Sequence, residues 1–110
     1  MERFVKGDVV VVAFPFSDLS ASKRRPALVL SNIQSEDALL CQITSQDLKD
    51  QFSISLNQSD FLSGGLSKIS NIRLNRIFTA SKSIVLYKAG SISSLKQSEV
   101  RNGILSILDQ

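Results

Sequence analysis

Four consecutive valines occupy residues 9–12, and with Ala13 and Phe14 they form the run VVVVAF, closed by Pro15. β-Branched side chains lose χ1 freedom in a helix and pack well on a pleated surface, so the run reads as a strand. It is apolar at every position rather than at alternate ones, and the strand is therefore expected to be central and buried on both faces. Gly7 and Asp8 supply a turn-like entry. The run falls far short of the roughly 20 residues a membrane helix needs, and the opening MERFVKGD has no signal-peptide pattern. A cytoplasmic protein without membrane contact is expected.

The residues after it read as further short strands. PFSDLSASKR (15–24) is expected to be a loop, and Pro26, acceptable at a strand's first position, leads into ALVLS (27–31). NIQSED connects this to a third strand, ALLCQIT (38–44). FSISL alternates as a half-exposed strand, QSDFLSGGLS reads as a loop around Gly64-Gly65, SKISNIRLNRIF as a long strand, and a further strand lies near SIVLYKA. Helical period is confined to the C-terminus, where Val100, Ile104, Ile107 and Leu108 recur, with Ser94 and Gln97 spaced as a capping box and Gly103 weakening the helix slightly. Five or six strands and one terminal helix predict a mainly β fold, a small curved sheet or barrel. With 110 residues and 43% hydrophobic content, residues 1–110 suffice for one domain with its own core. Cys41 is the single cysteine and lies in the apolar context LLCQI, so no intrachain disulfide can form and a small buried hydrophobe is expected.

Charge is unevenly spread. Residues 1–26 hold five Lys/Arg against three Asp/Glu, residues 27–66 one against five, and residues 67–110 seven against two. Two basic segments meeting on one face would suit an anionic partner such as RNA or an acidic peptide; solvated charges that keep the protein dispersed are the plainer alternative. The hairpin of ALVLS and ALLCQIT bears on this. Antiparallel pairing of Leu30 with Leu39 sets Arg25 opposite Thr44, with Cβ atoms about 5 Å apart, so a guanidinium and a hydroxyl could share one ligand oxygen. An arginine opposite a threonine at a sheet end is also an ordinary structural hydrogen bond. With no histidine and one cysteine, zinc or transition-metal ligation is not expected, and no phosphate loop, dinucleotide fingerprint or carboxylate cluster implies a cofactor.

GDVVVVAFPF, followed by KRRPALVLS, LLCQITS and NIRLNRIFT and then the terminal helix, resembles the MazF/PemK (Kid) family of toxin endoribonucleases, or mRNA interferases. The resemblance implies an SH3-like β-barrel of the CcdB/Kid/MazF type with a C-terminal α-helix, a homodimer, a cognate acidic antitoxin, and single-stranded RNA as substrate. It also implies catalytic roles for Arg25 and Thr44, the pair the hairpin brings together. Some relatives carry Arg-x-Asp in the long strand as proposed acid and base. Here the stretch reads Arg73-Leu74-Asn75, so Arg73 matches and Asn75 has no basic carboxylate.

RNA cleavage without a metal requires a deprotonated 2′-OH, a stabilised phosphorane and a protonated 5′-oxygen. Arg25 suits the second role with permanently charged planar donors and is a poor base. Thr44, or less favourably Ser45, can orient a phosphate oxygen or the 2′-OH. Asp18 is the carboxylate of the first loop, either a base once RNA orders that loop or a loop acid bonded to its own backbone. Lys23, Arg24, Arg73 and Arg76 are expected to position phosphates, Phe16 to stack on a base or join the core, and Ser17, Ser45 and Asn75 to border the RNA. Two alternatives to the nuclease share the fold: a non-catalytic RNA- or antitoxin-binding module, and a CcdB-like gyrase poison.

Overall fold

The computed structural model describes residues 4–15, 22–32, 34–46 and 50–110. Seven strands, β1 (Asp8–Pro15), β2 (Ser22–Val29), β3 (Asp37–Thr44), β4 (Ser53–Leu56), β5 (Phe61–Gly64), β6 (Ser70–Ser81) and β7 (Val85–Ile92), precede one helix, α1 (Ser94–Leu108). They form one antiparallel sheet in the order β4-β6-β3-β2-β1-β7-β5. β5 was not expected; its four residues lie within the stretch that reads as a loop, and pairing with β7 rather than any alternation makes them a strand.

β1 is buried on both faces, as its continuous apolar run requires. Val9 joins Leu28, Cys41, Ile43, Ile72 and Val100 of α1 on one side, while Val10 and Val12 join Ala27, Val29, Ala38 and Leu40 on the other. Phe4, Phe78 and Val85 pack over the second cluster. A single chain thus covers both faces of its central strand.

The two edge strands, β4 and β5, are consecutive in the chain and joined through the 3-10 turn Gln58–Asp60. So short a connection forces the far ends of the sheet together, and the sheet curls into a half-barrel. Lys96 of α1 bridges the seam. Its ammonium donates to the Ser55 carbonyl of β4 at 3.1 Å, lies 3.6 Å from the Asp60 carboxylate and 2.8 Å from that of Glu99.

α1 is capped one residue earlier than the capping-box spacing suggests. The Ser93 hydroxyl accepts from the Lys96 N–H at 3.2 Å, while the Gln97 amide reaches back to donate to the Ile92 carbonyl, also at 3.2 Å. Gly103 costs the helix some propensity, and the reason is local: a Cβ there would collide with the Leu74 side chain of β6.

Two departures from regular pairing interrupt the ladders on either side of β3. The first is Pro26, which lies in mid-strand because β2 begins at Ser22, four residues before it. The Leu30 N–H donates to the Leu39 carbonyl of β3 at 3.0 Å, and the Gly7 N–H at the entry to β1 donates to Val29. Backbone groups alternate sides along a strand, so the position of Pro26 is one whose N–H should face β3, and proline has none. The ladder to β3 accordingly stops at Ala27–Gln42, while that to β1 runs on to Ser22.

The second is a step in β6. Cys41 pairs with Ile77 but Ile43 with Ile72, so two residues along β3 are matched by five along β6. The displaced backbone is held by the Cys41 thiol, which donates to the Arg73 carbonyl at 2.8 Å. Strict alternation through the long strand fails here: Ile72, Arg73 and Leu74 are all buried and residues 75–77 all exposed.

Burial pushes the Cys41 thiol up to about 12 from the 9.0 of an exposed one. The folded state keeps this proton after the unfolded chain has lost it, so the contribution is complete below pH 9 and is lost as pH rises from about 9 through about 12. Urea unfolding between pH 8 and 11 should therefore show wild-type stability falling more steeply than that of Cys41→Ala, by about 1.4 kcal/mol per pH unit above 9. Parallel pH profiles for the two proteins would refute it. The thiol should also resist thiol reagents until the chain unfolds.

Candidate active site

The hairpin register is the expected one wherever β2 and β3 pair: Ala27 opposes Gln42, Leu28 opposes Cys41 and Val29 opposes Leu40. Extended past Pro26, the same register sets Arg25 across from Thr44 at the point where the ladder has opened. Side chains of directly paired residues share a face, as do residues two apart in one strand. Arg25 thus shares a face with Ala27 and Gln42, Gln42 with Thr44, Thr44 with its partner Asn71, Asn71 with Arg73, and Arg73 with its partner Ser53. The face that is apolar over Ala27, Val29, Ala38 and Leu40 therefore turns polar along the strands, ending in a row of Arg25, Thr44, Asn71 and Arg73. Arg25 and the β6 residues lie two interstrand steps apart, roughly 10 Å, with Thr44 between them.

The groups of this row are held in distinct ways. Thr44 is 7% exposed, and its Oγ1 accepts from the Gln46 N–H at 3.2 Å, leaving its own proton to donate. The Asn71 amide donates to the Gln46 carbonyl at 2.9 Å, so β6 fixes the turn that follows Thr44. Arg25 is half-buried at the mouth of the opened ladder.

Arg73 is not the solvated strand residue that alternation suggests. It is 9% exposed, with Nη1 3.3 Å from Asp50 Oδ2 and 3.4 Å from Ser53 Oγ. Asp50 in turn accepts from the Phe52 N–H at 3.0 Å and from the Ser53 hydroxyl at 3.1 Å. Sequence reasoning missed Asp50, because nothing in QDLKDQ separates a site carboxylate from a loop acid until β4 pairs with β6.

Lys23 and Arg24 are exposed on β2 before Arg25, and Ser45 is exposed immediately after Thr44. Asn75 and Arg76 are exposed in the stepped segment of β6, where alternation no longer ties them to the Arg73 face. Phe16, Ser17 and Asp18 lie outside the described residues. The basic segment 67–110 is also less free than its composition implies: Arg73 is paired with Asp50, Lys88 with the buried Asp8 at 3.3 Å, and Lys96 with Asp60 and Glu99. Among the described residues, no helix is long and apolar enough to cross a membrane.

The fold recurs in solved structures. A chain of the MazE–MazF complex from Deinococcus radiodurans superposes with a TM-score of 0.82 at 21% identity, covering 100% of this chain and 99% of that one. An endoribonuclease in complex with its cognate antitoxin from a mycobacterial species gives 0.75 at 16% identity, covering 96% and 94%. Toxin MazF-mt6 of Mycobacterium tuberculosis gives 0.70 at 13% identity, covering 91% and 96%. At these identities the likeness is one of fold. No curated protein matches the chain significantly. The sequence itself carries the family signature: residues 5–108 match that of PemK-like, MazF-like toxins of type II toxin–antitoxin systems. The curled, half-barrel sheet with its terminal helix is that of MazF-type proteins, and the chain belongs to the PemK-like, MazF-like toxin family.

Proposed function

We propose that this chain is a metal-independent endoribonuclease that cuts single-stranded RNA by attack of the 2′-OH on the adjacent phosphorus, leaving a 2′,3′-cyclic phosphate. The observation that carries the reading is the row of Arg25, Thr44 and Arg73 along the polar end of one sheet face. A phosphate seated over Thr44 would receive the Thr44 hydroxyl proton and the guanidinium of Arg25. Charge that builds on the phosphorane oxygens is then met by donors already in place, the condition under which electrostatic stabilisation is most effective. Lys23 and Arg24 continue the cationic line along β2, and Arg76 extends it from β6; these suit flanking phosphates. Phe16, Ser17 and Asp18 precede that line in the chain and are proposed to meet the base beside the scissile bond.

Relatives solved as toxin–antitoxin complexes support an antitoxin as protein partner; its contacting segment is proposed to be acidic, since a cationic surface that takes phosphates also takes carboxylates. A homodimer is proposed on the same family grounds. It does not rest on an uncovered central strand, because the single chain buries both faces of β1.

Incubation of the pure protein with long single-stranded RNA in excess chelator tests the reading. Cutting should persist, yield 2′,3′-cyclic phosphate ends, and disappear when the scissile nucleotide carries a 2′-deoxy sugar. Intact RNA, or normal cutting of the 2′-deoxy substrate, would overturn it.

A further inference from the structure

Attack by a 2′-OH needs a proton acceptor, and none of Arg25, Thr44, Asn71 and Asn75 is one at neutral pH. The described carboxylates narrow quickly. Asp8 is 2% exposed and committed to Lys88, Ser91 and the Val5 N–H. Asp60 and Glu99 flank Lys96 at the barrel seam. Glu36 and Asp37 sit at the opposite end of β3 from Thr44, and Asp109 lies beyond α1. Asp50 alone of this set borders the row of site residues.

We infer that the carboxylate of Asp50 is the proton acceptor of this site, an assignment that rests on the ribonuclease reading above. Its orientation is fixed by the site itself. Oδ1 is held by the Phe52 N–H and the Ser53 hydroxyl, which turns Oδ2 toward Arg73 Nη1. Ser53 is the register partner of Arg73, and Ser55 that of Asn71, itself paired with Thr44, so β4 delivers Asp50 to the face on which the phosphate would sit. The Asp50 side chain is 42% exposed against 11% for that of Arg73, so RNA can reach the carboxylate while the arginine stays behind it. Arg73 is then a positioning residue: it faces Asp50 and aims the carboxylate.

In the step itself, Asp50 Oδ2 takes the 2′-OH proton as the O2′–P bond forms and the P–O5′ bond breaks. The 5′-oxygen leaves with that bond's electron pair and is protonated by water, and the resulting hydroxide takes the proton from Asp50. No oxidant, reductant or third substrate is required.

Single-turnover and steady-state cleavage by Asp50→Asn tests this. The substitution keeps the shape and an oxygen for the Phe52 and Ser53 donors but puts an amide NH2, which cannot accept a proton, where Oδ2 faces Arg73; it is expected to lower kcat by a hundredfold or more with KM within about threefold. Asp50→Glu should recover part of the loss, and Asp50→Ala should be partly restored by added formate, a small carboxylate base that a purely structural role would not need. Cutting by Asp50→Asn within threefold of the parent overturns the assignment, as does a loss carried by KM that formate leaves unchanged. A parent protein that leaves RNA intact overturns the ribonuclease reading beneath it instead.

Discussion

Replacing Arg25 with alanine should slow RNA cleavage by about two to three orders of magnitude, the scale on which a single oxyanion-stabilising donor is felt. The position is unusual in how it is held. Pro26 removes the one backbone donor that would carry the β2–β3 ladder further, so the strands part beside Arg25 while β1 still anchors it through its pairing with Val12. A cation fixed on a rigid strand at an opened seam does not have to be reorganised when charge builds on phosphorus, and its effect belongs to the transition state. RNA affinity should therefore fall far less than the rate. Arg25→Lys should also be poor, since an ammonium cannot reproduce two parallel donors. Thr44→Ala should cost less than Arg25→Ala, because a neutral hydroxyl is the weaker donor. Single-turnover rates beside filter-binding constants decide it; a loss of binding in step with the loss of cutting would place Arg25 among ordinary phosphate contacts.

Lys96→Ala should destabilise the fold by about 3 kcal/mol, the scale for breaking a buried charge pair from one side. The Lys96 side chain is 10% exposed and that of Asp60 20%, so removal of the ammonium leaves the Asp60 carboxylate with the Asn57 N–H and no cation, and takes the Lys96 donor from the Ser55 carbonyl at the barrel seam. The Glu99 side chain is 53% exposed and adds little, so Glu99→Ala should change stability by less than about 0.5 kcal/mol. Lys96→Met, which keeps the apolar stem, should still lose most of the 3 kcal/mol if the charge rather than the packing matters. For a domain of this size the loss corresponds to a fall in Tm of roughly 10–20 °C. A Lys96→Ala protein melting within a few degrees of the parent would show that β4 and β5 are held by the core alone.

Much of this architecture is legible along the chain because it depends on local chemistry. Four valines in succession leave a strand buried on both faces as the economical outcome, and the short connector NIQSED sets the antiparallel register of ALVLS and ALLCQIT. Arg25 and Thr44 follow from that register and from nothing else. The capping serine was misplaced by one residue because Ser93 and Ser94 are chemically alike, and the path of the chain off β7 chooses between them.

Other features have no signature that precedes folding. β5 is a strand because β7 offers an edge. Asp50 becomes a site carboxylate because β4 pairs with the first half of β6, a contact between segments distant in sequence. Arg73 keeps its place in the alternation, on the face of Asn71, and is withdrawn from solvent there because Asp50 and Ser53 meet its guanidinium while the Cys41 thiol holds its carbonyl. The chain by itself determined the strands with a strong apolar pattern and the register of the β2–β3 hairpin, because side-chain volume, periodicity and a short connector act over a few residues. The tertiary structure alone decided which charges face one another, because an ion pair depends on atomic separations that many intervening residues must first bring about.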